Sequence, residues 1–171
     1  MPIGYQKYKD RKKSHRYQGE VKDFFLWRGY IVQIHTNKEA KEIPKAWVII
    51  KQDTKTIHIN ETCNLLSKRE LTACLYHEVG HILYEREEPL SLLHYQYELS
   101  YRYDMEKIAD NLAIKHGYAN ELYKVLSKVY EDCYKFKYNI SMKTIKRRLS
   151  YISLFLNNKD KRRVSVKLTS L

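Results

Sequence analysis

Cysteine is scarce in this chain and does not form a framework. Cys63, Cys74 and Cys133 are three among 171 residues, and none stands in the Cys-x-x-Cys spacing that marks zinc ribbons and redox sites. An odd number without that spacing argues against a disulfide-stapled fold and suits a reduced, cytoplasmic setting. Long apolar runs are also missing. The chain passes from Met1-Pro2-Ile3 directly into charged residues, so no apolar signal core is expected. No stretch approaches the roughly 20 apolar residues that a membrane span needs. Internal repeats and low-complexity tracts are lacking as well.

What remains is globular material with a strong positive bias. At 171 residues and 43% hydrophobic composition the chain can bury a core unaided, so one compact domain with a small helical appendix is expected. The formal charge of +12 is concentrated at the two ends, in Lys7, Lys9, Arg11, Lys12, Lys13 and Arg16 and again in Lys159, Lys161, Arg162, Arg163 and Lys167. Such ends suit an acidic partner or nucleic acid, and equally serve as solvated tails.

Residues 1–18 read as a flexible basic lead-in. Val21, Phe24, Phe25 and Arg28 recur at helical spacing with Gly29 at a C′ position, which predicts a short helix. Tyr30 to His35 reads as a strand. The β-branched runs Ala46 to Ile50 and Thr56 to Asn60 flank a polar loop and predict a hairpin. Three strands of an antiparallel sheet are thus expected ahead of the first long helix. That helix is announced by Ser67 and Glu70, a capping box, and by Leu71, Cys74, Leu75, Val79 and Ile82 at a 3.6 period up to Tyr84. A second helix follows, with Met105, Ile108, Ala109, Leu112 and His116 on its apolar face and Gly117 closing it. Two more are expected, at about 120–130 and 141–155. The fold class is therefore α+β, a short sheet packed on a first helix and a second, with helices after them.

The chemistry sits on the first of those helices, in His77-Glu78-Val79-Gly80-His81. Two histidines four residues apart project from one helical face and let both imidazoles reach one metal ion. Glu78 points about 100° away, where it can meet a metal-bound water but is poorly placed as a ligand. It also falls inside the apolar arc, where a carboxylate costs several kcal/mol unless a cation compensates it. The bland alternative is two surface histidines and a salt-bridged Glu.

A catalytic zinc takes a third protein ligand. A metzincin would have Gly at 84 and His at 87, where this chain has Tyr84 and Glu87. Glu106, at the margin of the second helix's apolar face, is the better candidate, with Asp110 one turn on, able to accept the free ring N–H of a ligand histidine. Glu87, Glu88, His94, Glu98 and Asp104 are the alternatives to Glu106. His35, His58 and His116 read as structural, and a tyrosine such as Tyr84, Tyr101 or Tyr103 is a candidate donor to an oxyanion, with packing as the commoner role.

Three segments in order resemble the ImmA/IrrE family of metallopeptidases, found in bacteria and their mobile elements. The stretch Ser67 to Tyr84 is similar to that family's active-site helix. Met105-Glu106-Lys107-Ile108-Ala109-Asp110-Asn111 is similar to its second signature. Tyr138-Asn139-Ile140-Ser141 followed by Arg148-Leu149 is similar to its helix-turn-helix-like segment. The resemblance implies a zincin-like domain over 19–118, a helix-turn-helix-like segment over 119–156 and a basic tail over 157–171. It further implies Zn²⁺ on His77, His81 and Glu106, and a helix-turn-helix repressor, cut to derepress an excision or stress operon, as protein substrate. A non-cleaving antirepressor and a DNA-binding protein are the alternative readings.

Overall fold

The computed structural model describes residues 20–36, 46–48, 55–87, 99–136 and 142–156. Four strands come first: β1 (Val21–Trp27), β2 (Tyr30–His35), β3 (Ala46–Val48) and β4 (Thr56–Asn60). A 3₁₀ turn at Glu61–Leu65 leads into α1 (Lys68–Glu87), followed by α2 (Leu99–Lys115), α3 (Ala119–Phe136) and α4 (Met142–Ser153). The class is α+β, as the sequence predicts. The basic ends and the segment around Asn139 lie outside the described residues.

Residues 21–27 form a strand, where their spacing predicts a helix. Trp27 pairs with Tyr30, leaving Arg28 and Gly29 as a two-residue turn whose φ angles are 48° and 81°. Positive φ at both positions is the turn that matches strand twist in a tight hairpin. Gly29 therefore turns a hairpin instead of ending a helix. Phe25 and Trp27 face the core while Phe24 and Leu26 are exposed, the period-2 pattern that the helical spacing mimics over so short a run.

The sheet has order β1-β2-β4-β3 and is mixed. β1–β2 and β3–β4 are antiparallel, but β2 and β4 run parallel, with Val32 beside Ile57 and Ile34 beside Ile59. The expectation of an all-antiparallel, three-stranded sheet is corrected by that central pair and by β1. β3 takes the edge of the described sheet, antiparallel to β4, so that β4 runs in the same direction as β2.

The capping box of α1 is present: Ser67 N–H donates to Glu70 Oε2 at 2.8 Å, and Glu70 N–H donates to Ser67 Oγ at 3.3 Å. From that start α1 buries two faces. Leu75, Val79 and Ile82 pack on Val32, Ile57 and Ile59 of the sheet, while Ala73 and Tyr76 join Ala113, Leu122, Leu126, Ile145, Leu149 and Ile152 in a second, helical core. A third face meets α2. There, a Cβ built on Gly80 would lie 2.6 Å from the Cα of Ala109 and 2.9 Å from its carbonyl oxygen. Backbone cannot rotate away as a long side chain does. Gly80 is thus required by the close approach of two helices, despite its cost in a helix interior.

Gly80→Ala tests this crossing. Helix propensity alone would stabilise the protein by about 0.5–1 kcal/mol, whereas overpacking costs about 1–3 kcal/mol, and against backbone the second effect wins. A lower urea midpoint is expected; a higher one would contradict the crossing.

Candidate metal centre

His77, Gly80 and His81 share the face of α1 that crosses α2, and Glu106, Ala109 and Asp110 share the matching face of α2. The two small residues set the helices close, and the polar pairs on either side of them meet. One ligand atom from each of His77, His81 and Glu106 lies within 4.8 Å of the others, the one such cluster among the described residues. His77 Nε2 is 3.2 Å from His81 Nε2 and 3.4 Å from Glu106 Oε2, and His81 Nε2 is 3.7 Å from Glu106 Oε1. Donor atoms about 2.0–2.1 Å from a tetrahedral ion are separated by roughly 3.3 Å. The three side chains therefore fit one ion of that size.

Asp110 is fully buried and does what its position one turn beyond Glu106 suggests. Its Oδ1 stands 2.8 Å from His77 Nδ1 and accepts that N–H, which fixes the tautomer and turns Nε2 toward His81 and Glu106. The same oxygen accepts from Arg148 Nη2 at 2.7 Å, and Oδ2 accepts from Arg148 Nε at 2.9 Å. Arg148 Nη1 reaches Glu106 Oε2 at 2.6 Å. The 3.3 Å approach of Arg148 Nη2 to His77 Nδ1 joins two donors. It follows from the acceptor they share and is not itself a bond.

Arg148 is absent from the sequence-derived site, where it appears only within the helix-turn-helix-like match. A signal existed. Ile145, Leu149 and Ile152 are the buried face of α4, and an arginine next to that face requires a buried carboxylate partner.

The electrostatics of the centre favour a divalent cation. Arg148 brings one positive charge against the three carboxylates of Glu78, Glu106 and Asp110, an excess of two negative charges when Glu78 is ionised. Among the side chains alone, protons offset that excess. Burial, reinforced by Glu106 and Asp110, pushes Glu78 up to about 7. Burial and Arg148 both oppose a proton on His77, but hydrogen bonds to Asp110 and Glu106 outweigh them and raise it to about 9. His81 goes the other way: burial, then His77 beside it, lowers it to about 4 and leaves a neutral ring with a lone pair to donate. Burial works against ionised Glu106, yet Arg148 and His77 hold its carboxyl well below the usual range. The donor set is thus two imidazoles and one carboxylate, and a 2+ ion would balance the charge that the two protons offset.

The remaining candidates are placed elsewhere. Asp104 is exposed and outside the cluster. Glu88, His94 and Glu98, and the side chains of Glu87 and Tyr101, lie outside the described residues. Tyr103 lies 5.7 Å beneath the Arg147 guanidinium. Tyr84 is half-buried on α1 and is not a member of the cluster. His35 and His58 are buried and meet each other at 2.9 Å across β2 and β4, and His116 stacks on Tyr76 at 4.2 Å. His116 is exposed just past the end of α2, and none of the three belongs to the cluster. No helix among the described residues is long and apolar enough to cross a membrane. Compared with protein-family models, curated proteins and solved structures, the chain finds no match.

The buried guanidinium gives a direct test. Arg148→Met leaves Glu106 and Asp110 without their cation and should cost about 3–5 kcal/mol of stability by chemical denaturation. Arg148→Lys should recover only part of that, because an ammonium cannot replace the planar fork. A fully stable Met variant would contradict the network.

Proposed function

We propose that this protein is a zinc-dependent endopeptidase of the ImmA/IrrE type, with Zn²⁺ held by His77, His81 and Glu106 and with Glu78 as its general base. The observation that supports this most is the pairing of that three-donor cluster with a buried carboxylate at the next residue. Two imidazoles and a carboxylate also suit ferrous iron in oxygenases. Glu78 favours hydrolysis, since an oxygenase triad has no use for a buried carboxylate beside its three donors.

A zinc ion at these ligands supplies Lewis acidity, polarising a carbonyl and bringing the pKa of water toward 7. The chain's own groups do the rest. His77 is held in one tautomer by Asp110, and Glu106 is oriented by Arg148, so the donors are set before substrate arrives. Glu78 takes the proton from the attacking water. It then delivers that proton to the nitrogen of the departing amine, serving as general base and then as general acid. The burial of Glu78 keeps its carboxylate dry enough for this exchange.

The substrate in this proposal is a protein, and the ImmA/IrrE resemblance makes a helix-turn-helix repressor the natural one. β3 supports a peptide substrate: it is an edge strand of the described sheet and packs on α1, the helix that carries both histidines. An extended segment can add to such an edge by main-chain hydrogen bonds.

The test is a peptide library incubated with zinc-loaded protein and searched by mass spectrometry for new N-termini. Wild type should produce them and Glu78→Gln should lose roughly 10²–10⁴-fold in rate while retaining its zinc. Equal cleavage by both proteins, or none by either, would contradict the proposal.

A further inference from the structure

Helix α4 has a second face with a different character. Lys143, Lys146, Arg147 and Ser150 are all exposed and follow one another at i, i+3, i+4 and i+7, a single stripe along the helix. With Tyr103 and Tyr151 they line an open groove of about 490 Å³ between α4 and α2. No carboxylate lines it, and Leu154 is its one aliphatic lining residue.

Two cations here are held in place. Arg147 lies over the ring of Tyr103 at 5.7 Å, and Lys107 of α2 lies over the ring of Tyr151 at 4.6 Å. Each ring restrains a side chain that would otherwise lose rotamer freedom on meeting a ligand. Tyr151 is itself fixed by donating its hydroxyl to Asn111 Oδ1. The groove therefore presents Lys143, Lys146 and a ring-restrained Arg147, with Lys107 of α2 held beside it on Tyr151. The sequence that carries the stripe has the same sign, since residues 142–171 hold nine Lys or Arg and one acid, Asp160.

We propose that this groove binds the sugar–phosphate backbone of a nucleic-acid duplex, without reading its bases. Charge density separates this from the other polyanion that a basic groove attracts, an acidic protein segment. The stripe from Lys143 to Ser150 spans roughly 10 Å of helix. A duplex presents one negative charge per about 1.7 Å of axis, whereas an extended chain of acidic residues presents at most one per about 3.3 Å. Closely set cations with no intervening carboxylate fit the denser partner. The inference does not rest on the peptidase reading: the stripe and Arg148 occupy different faces of α4, and duplex binding needs no metal.

The experiment is fluorescence anisotropy of a short labelled duplex of arbitrary sequence, titrated with the full chain over a salt series. The comparison protein is Lys143→Gln/Lys146→Gln/Arg147→Gln, which leaves both basic ends intact. The triple variant should bind about tenfold or more weakly, and its plot of log affinity against log salt should be shallower by roughly 2–3, near 0.9 for each phosphate no longer neutralised. Ser150→Glu, a single change on the same stripe, should weaken binding as well and decides the matter if the triple variant does not fold. Unchanged affinity and slope in these variants, or no duplex binding by wild type, would overturn the proposal. So would tighter binding of polyglutamate than of the duplex, which would assign the groove to an acidic protein.

Discussion

The close crossing of α1 and α2 is the constraint on which the rest of this structure depends. At the crossing the two helices meet almost backbone to backbone, because the position on α1 is Gly80 and a Cβ there would stand 2.6 Å from the Cα of Ala109. Helices separated by larger residues run about 8–10 Å apart, and polar pairs on their flanks would then not share one ion. Here His77 and His81 straddle Gly80, and Glu106 and Asp110 straddle Ala109. Four polar groups from two separate helices are thereby brought to one point. The small residues thus bring together the groups that could hold a metal ion without belonging to that group themselves.

Such a point is costly to bury, and the fold offsets the cost from a third helix. Arg148 of α4 lies against both carboxylates, with two bonds to Asp110 and one to Glu106. Its position depends in turn on Ile145, Leu149 and Ile152 packing into the helical core that α1, α2 and α3 also build. Core packing and site electrostatics are therefore one problem: the apolar face of α4 delivers the charge that the polar face of α2 needs. The guanidinium neutralises one of three carboxylates, and the excess that remains when Glu78 is ionised can be offset by protons on Glu78 and His77 or by a divalent cation.

Features encoded locally were legible in the sequence. The capping box at Ser67 and Glu70 needs only residues three apart, and the His77–His81 pair needs only the pitch of a helix. Asp110 was readable as the partner of a ligand histidine because it follows Glu106 by one turn. Features set by distant partners were not legible. Val21 to Trp27 carries apolar residues at a spacing that serves a helix or a strand, and pairing with β2 decides between them. The parallel pairing of β2 with β4 depends on where β3 is placed, which no local signal states. Arg148 stands 38 residues from Asp110 and 71 from His77, so its role emerges only once the helices are packed.

X-ray absorption at the zinc edge of the zinc-loaded protein tests the central claim most directly. One zinc per chain is expected, in a shell of nitrogen and oxygen at about 2.0–2.1 Å and with the outer scattering of two imidazoles. A sulfur shell at about 2.3 Å, or zinc bound in well below one equivalent, would contradict it.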